Sequence, residues 1–167
     1  MASSTPYIAV VGAGEFHEDL CAIAEEVGHE LAERGCVLVC GGLGGVMEAA
    51  CRGARSAGGT TVAILPGSSR SDANEFVDLA IPTGMGEMRN ALLVRAVDVV
   101  IAVGGEFGTL SEVAFALKTG TPVVGVDTWI LAKDTGEVDV FERAETGRDA
   151  VVRALELIHD RHDTSRA

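Results

Sequence analysis

Short apolar runs alternate along this chain with longer stretches whose apolar residues recur every three or four positions. Tyr7 to Val11, Val37 to Val39, Thr60 to Leu65, Phe76 to Ile81, Asp98 to Val103 and Pro122 to Val126 predict six strands. Phe16 to Arg34 predicts a helix with Leu20, Ile23, Ala24, Val27 and Leu31 on one face, and Gly35 is placed to end it. Further helices are expected over Val46 to Ala57, Met85 to Val97, Leu110 to Lys118 and Thr146 to His159. Ser68 to Glu75 reads as a loop, and 127–140 follows neither period.

Strand–helix units with wholly apolar strands imply a sheet covered on both faces. The expected fold is a three-layer, Rossmann-like, doubly wound α/β domain with a mostly parallel sheet. Residues 1–167 form a single nucleotide-binding domain on this reading. Ligands of such folds sit beyond the carboxyl ends of the strands, where three glycine clusters fall in this sequence.

Charge narrows the ligand. The formal net charge is -12, which disfavours nucleic acid and acidic membrane surfaces. A single phosphate is still admissible, because helix N-termini supply local positive potential. Met1 to Pro6 lacks the basic and apolar regions of a signal peptide, and the apolar runs are too short to span a bilayer. The four cysteines, Cys21, Cys36, Cys40 and Cys51, have no CxxC spacing and read as buried free thiols. A cytoplasmic protein is expected. No metal is expected either, since His159 and His162 have no third ligand nearby in sequence. Lys118 and Lys133, the only lysines, lie off the glycine clusters, so a pyridoxal phosphate enzyme has little support.

The clusters differ in specificity. Gly12-Ala13-Gly14 fits a ligand loop or a tight strand–helix turn. Gly41-Gly42-Leu43-Gly44-Gly45 lets backbone approach a ligand, or lets a helix pack closely on the sheet. In Gly104-Gly105-Glu106-Phe107-Gly108-Thr109-Leu110-Ser111-Glu112, glycines precede a helix start that favours an anion. Thr109 can cap that helix or bond a phosphate oxygen. Glu112, three residues on, completes a capping box or serves as a carboxylate base. Arg89 in Met88-Arg89-Asn90 opens a helix, where a cation opposes the macrodipole unless it faces an anion or solvent.

Together, Gly41 to Met47, Met88-Arg89-Asn90, Asp98 and GGEFGTLSE resemble the Lonely Guy-type family, long described as possible lysine decarboxylases. Many of its members are cytokinin nucleotide phosphoribohydrolases. The likeness runs from Tyr7 to about Val126. It implies that Arg89 and Glu112 are the catalytic pair and that Gly104, Gly105, Gly108 and Thr109 hold phosphate. Gly12, Gly14, Gly41, Gly42, Gly44, Gly45, Met88 and Asn90 complete the expected ligand-binding set. The implied reaction is hydrolysis of the N-glycosidic bond of a nucleoside 5'-monophosphate, with no cofactor. The form GMGEMRN resembles a bacterial sub-branch that includes molybdenum-cofactor carriers, so the alternative is a non-catalytic carrier of a phosphorylated small molecule. Relatives of this type are dimers or larger, and the unbroken apolar row Ala91 to Val94 also leaves surface for a second copy.

Overall fold

Every predicted apolar run becomes a strand, and all pair in parallel. The computed structural model describes residues 5–137 and 140–164. In it β1 (Tyr7–Gly12), β2 (Val37–Cys40), β3 (Thr60–Leu65), β4 (Leu79–Pro82), β5 (Val99–Val103), β6 (Val123–Val126) and β9 (Glu142–Arg143) form one sheet, in the order β4-β3-β2-β1-β5-β6-β9. A small antiparallel hairpin, β7 (Ala132–Lys133) with β8 (Gly136–Glu137), lies apart from it. From β1 the chain winds outward through β2, β3 and β4, then returns to lay β5 on the other side of β1. The strand order therefore reverses between β1 and β5.

Strand alternation divides the core into two layers. Ile8, Val10, Val99, Ile101 and Val103 face α1 (Glu18–Glu33), α2 (Val46–Ser56) and α5 (Gly147–Thr164). Ala9, Val11, Val100 and Ala102 face α3 (Asn90–Arg95) and α4 (Phe107–Thr119). The core is built from Val, Ile, Leu and Ala, as a chain with 4% aromatic residues requires. All four cysteines are buried and free. No helix among the described residues is long and apolar enough to cross a membrane.

Three elements depart from the periodic reading. Phe76 to Asp78 does not join β4, because Thr61 donates its hydroxyl to the Phe76 carbonyl at 2.8 Å and Asp78 accepts from the Thr61 amide at 2.9 Å. Side-chain bonds take the place of ladder bonds there. The helix expected over Met85 to Val97 splits into a 3-10 turn, Gly86–Arg89, and the six-residue α3. Gly84 and Gly86, at φ of 65° and 57°, keep the backbone out of the right-handed helical region until after that turn starts. β9, two exposed residues beside β6, is too short to show a period.

At two points the crossing of α1 and α2 sets a glycine of one helix directly against the backbone of the other. A Cβ on Gly28 would fall on the Ala50 carbonyl, and one on Gly53 on the Glu25 carbonyl. Neither glycine has a positive φ, so what matters here is the missing Cβ. Gly28→Ala would gain up to about 1 kcal/mol of helix propensity, but overpacking of this kind costs about 1–3 kcal/mol. Because the obstacle is backbone on a second helix, the steric cost should win. A lower urea midpoint for Gly28→Ala than for the parent, at unchanged slope, is the expected outcome.

Candidate functional site

The loops leaving β1 and β5 diverge where the strand order reverses, and between them opens a cleft of about 390 Å³. Gly12 and Gly14 edge it on the β1 side, with Leu43 and Met47 beside them from the β2–α2 connection. The β5 side contributes Glu106, Gly108, Thr109 and Glu112. Arg89 and Asn90 close the third side, next to Glu87 and Pro66. A larger cavity, about 460 Å³, lies at the β6–β9 edge, but no glycine loop or helix N-terminus converges on it.

Arg89 and Glu112 are both buried, with Arg89 Nη1 3.4 Å from Glu112 Oε1. That is longer than an ordinary charge-assisted bond of about 2.7–2.9 Å. Burial consequently outweighs the attraction of Arg89, and the Glu112 carboxyl is pushed up to about 7. Arg89 therefore does not hold Glu112 fully ionised at neutral pH. The same Nη1 donates to Asn90 Oδ1. Asn90 Nδ2 in turn donates to Ser111 Oγ at 2.9 Å, and Ser111 Oγ to the Gly108 carbonyl at 2.7 Å. This relay ties the arginine to the first turn of α4. Arg89 Nε is buried with no partner among the described residues.

α4 begins at Phe107, three residues earlier than its periodicity indicates, with Glu106 at the N-cap position. Thr109 thus lies inside the helix and does not cap it, which removes the capping box with Glu112. The amides of Phe107, Gly108 and Thr109 belong to the first turn, where no intrahelical acceptor exists. Gly108 and Thr109 face the cleft, so this end of the site offers unpaired donors and the positive end of a 13-residue helix.

The other predicted residues take several positions. Gly41 has no Cβ where one would strike Arg89 Nη2 and the Met47 sulfur, so it makes room for the guanidinium. Gly45, at φ 61°, packs against the Ala13 and Glu15 carbonyls, and Gly44 against that of Gly14. Gly42 sits against Ala63 and Leu65. Gly44 and Gly45 thus pack on the loop after β1, and Gly42 on β3. Gly104 lies over Leu20, and Gly105 beside the Thr109 side chain. Met88 points outward, 74% exposed, and is absent from the cleft wall. Asp98 accepts from the Tyr7 amide at 2.8 Å, at the start of β5 and so at the other end of that strand from the cleft. Leu43, Met47, Pro66, Glu87, Glu106 and Ser111 belong to the site or its supports without having been singled out in the sequence. Of these, Leu43 and Met47 carried a signal by sitting in and just after the second glycine cluster, and Glu106 and Ser111 by lying within Gly104 to Glu112.

The raised carboxyl has a consequence for stability. Its shift is upward from 4.5, so the folded chain holds this proton more tightly than the unfolded chain. The resulting stabilisation is complete below about pH 4.5 and is lost as pH rises through about 7. Thermal melting from pH 5 to 8 should show the parent losing stability relative to Glu112→Gln, which has no proton to release there. A pH-independent difference would refute the assignment.

Comparison with known proteins places this geometry among relatives. A family model described as the SLOG cluster4 family matches residues 5–155. An uncharacterised protein of Archaeoglobus fulgidus is 50% identical over 138 residues, 83% of this chain and 89% of its own. The cytokinin riboside 5'-monophosphate phosphoribohydrolase of Mycobacterium tuberculosis is 36% identical over 123 residues. That match spans 68% of this chain and 65% of the relative, less than two thirds of its length. Among solved structures, the molybdenum cofactor binding protein of the phototrophic bacterium Rippkaea orientalis superposes with a TM-score of 0.84 at 34% identity, covering 94% of this chain and 99% of that one. The molybdenum cofactor carrier protein of Chlamydomonas reinhardtii gives 0.80 at 33% identity, covering 93% and 99%.

Proposed function

We propose that this chain, which belongs to the SLOG cluster4 family, binds a nucleoside 5'-monophosphate in the cleft and hydrolyses its N-glycosidic bond. The observation that carries this reading is Glu112, a carboxyl buried in the same cleft as a helix N-terminus and pushed up by desolvation to about 7. A general acid or base works best with a pKa close to the operating pH, and binding alone needs no such group.

The phosphate rests on the Gly108 and Thr109 amides at the start of α4, with the Thr109 hydroxyl beside it. Arg89 brings positive charge to the same space, and its unpaired Nε is a donor available to the ligand after a small shift. In the reaction the bond from C1' to the base nitrogen breaks and water oxygen bonds to C1'. The base nitrogen takes one proton, and ribose 5-phosphate leaves with the new hydroxyl. Protonated Glu112 supplies the proton to the departing base, and ionised Glu112 accepts one from water or faces the positive charge growing at C1'. The buried low-polarity floor strengthens each of these interactions.

The second reading is a carrier of a phosphorylated small molecule. It is favoured by the near-complete structural matches to molybdenum cofactor binding and carrier proteins. That reading uses the same amides and Arg89 but not the chemistry of Glu112. Glu112→Gln separates the two: hydrolysis of AMP should fall about 10²–10⁴-fold while nucleotide affinity changes by less than about fivefold. No release of ribose 5-phosphate by the parent protein, together with a pterin found by mass spectrometry of the purified protein, would establish the carrier instead.

A homodimer is part of this proposal. α5 packs with α1 and α2, so it cannot cover the surface beside α3. Met85, Met88 and Leu92 remain exposed around the Arg89 turn, and Leu79 and Ile81 remain exposed on the edge strand β4. A second copy is the natural cover for an apolar patch of this kind. Light scattering at micromolar concentration should report a particle of twice the 17.3 kDa chain mass; a monomer refutes this.

A further inference from the structure

Beside the cleft, at the rim and outside its wall, stands an aromatic pair that the chemistry above does not use. Phe107 opens α4 between Glu106 and Gly108, both of which line the cleft, yet its ring is 75% exposed. It stands against Trp129, with ring centroids 5.5 Å apart and planes tilted by 44°. Trp129 comes from the loop after β6, the strand next to β5.

Two features fix that loop, and a third marks it. Asp127 holds φ 47°, the only positive φ of a non-glycine among the described residues, a conformation kept only where surroundings enforce it. Thr128 Oγ1 donates to the Gly104 carbonyl at 2.6 Å, which pins the loop to the same glycine segment that leads into α4. The Trp129 indole Nε1 is buried without an acceptor among the described residues, an arrangement that native structures rarely leave unexplained.

We propose that Phe107 and Trp129 form the stacking platform for the planar heteroaromatic ring of the ligand, whose phosphate lies on the Gly108 and Thr109 amides. The inference rests on the reading of the cleft as a site for a phosphorylated small molecule, and it holds for a nucleobase or another flat heterocycle alike. Phe107 and Thr109 share one helical turn, of pitch about 5.4 Å, so ring and phosphate of a single small ligand address the same turn. The opposite wall, Leu43 and Met47, is aliphatic. It excludes water but does not distinguish a flat ring from a sugar, whereas an aromatic pair prefers the π-face. Ligands with a ring should therefore bind more tightly than ribose 5-phosphate.

Trp129 is the single tryptophan of the chain, so its fluorescence reports this contact directly. The intact protein is titrated with 9-deaza-AMP, an AMP isostere whose carbon–carbon glycosidic bond resists hydrolysis, and in parallel with ribose 5-phosphate, using calorimetry and fluorescence. The proposal expects saturable quenching by 9-deaza-AMP at its calorimetric Kd, and binding of ribose 5-phosphate without quenching. Phe107→Ala should weaken 9-deaza-AMP about tenfold or more, the scale of one lost stacking surface. It should leave ribose 5-phosphate within about twofold, and Phe107→Tyr should restore the nucleotide affinity. Equal weakening of both ligands by Phe107→Ala, or tight 9-deaza-AMP binding with unmoved fluorescence and loss in Met47→Ala, would overturn the platform and leave the cleft assignment standing. Failure of both ligands to bind would remove the cleft reading and the platform together.

Discussion

An ionisable carboxyl on a nearly dry floor, with one arginine for company, is the constraint around which the cleft is arranged. Glu112 and Arg89 are too far apart for a tight ion pair, at 3.4 Å, and too buried for water to solvate them fully. Leaving either one alone in such a place typically costs about 3–5 kcal/mol. The surrounding residues answer that cost. Asn90 accepts from the guanidinium, Ser111 passes the constraint to Gly108, and Gly41 leaves the space that a side chain would take. The pair, the relay and the first turn of α4 are therefore one unit, and a displacement of any part is felt by the others.

Much of this was legible in the sequence because burial on both sheet faces forces continuous apolar strands, and tight backbone approach demands glycine. Those two requirements located the sheet and the glycine loops at the carboxyl ends of its strands, while the family resemblance supplied Arg89, Asn90, Gly108, Thr109 and Glu112, which the structure brings around one cleft. What escaped depends on contacts distant in sequence. Periodicity starts α4 at Leu110 because Phe107 and Gly108 carry no helical repeat, so Thr109 was assigned a possible cap that Glu106 occupies. Met88 adjoins Arg89 in sequence, yet a 3-10 turn sends neighbouring side chains to opposite sides, one buried and one exposed. The ionisation of Glu112 was not legible for a similar reason, since it is set by desolvation, which spacing does not report.

Proteins of this fold are described by their names as hydrolysing a nucleotide or as carrying a cofactor. The two tasks share every requirement except one. Both need amides aimed at an anion and a wall against water, and these come from backbone placement at the reversal of strand order. Only bond cleavage asks for a group that can give and take a proton near neutrality. Fold and phosphate loops therefore carry little information about which task a member performs, and the surroundings of a single carboxyl carry much more.

The glycine-to-backbone crossing of α1 and α2 sets the mechanics of the cleft. Two helices that meet glycine on carbonyl at two points, with small residues such as Ala24, Ala50 and Ala54 packed around them, resist sliding and act as a single plate. Met47 stands on that plate, with Leu43 just before it, and so the β1-side jaw is fixed. The third side, by contrast, is a 3-10 turn and a helix of six residues, held by Leu93, Val94 and a few side-chain bonds. A vice with one fixed and one lighter jaw yields on one side only. The outline of the opening is cast by α2, and any change in its width falls first to α3.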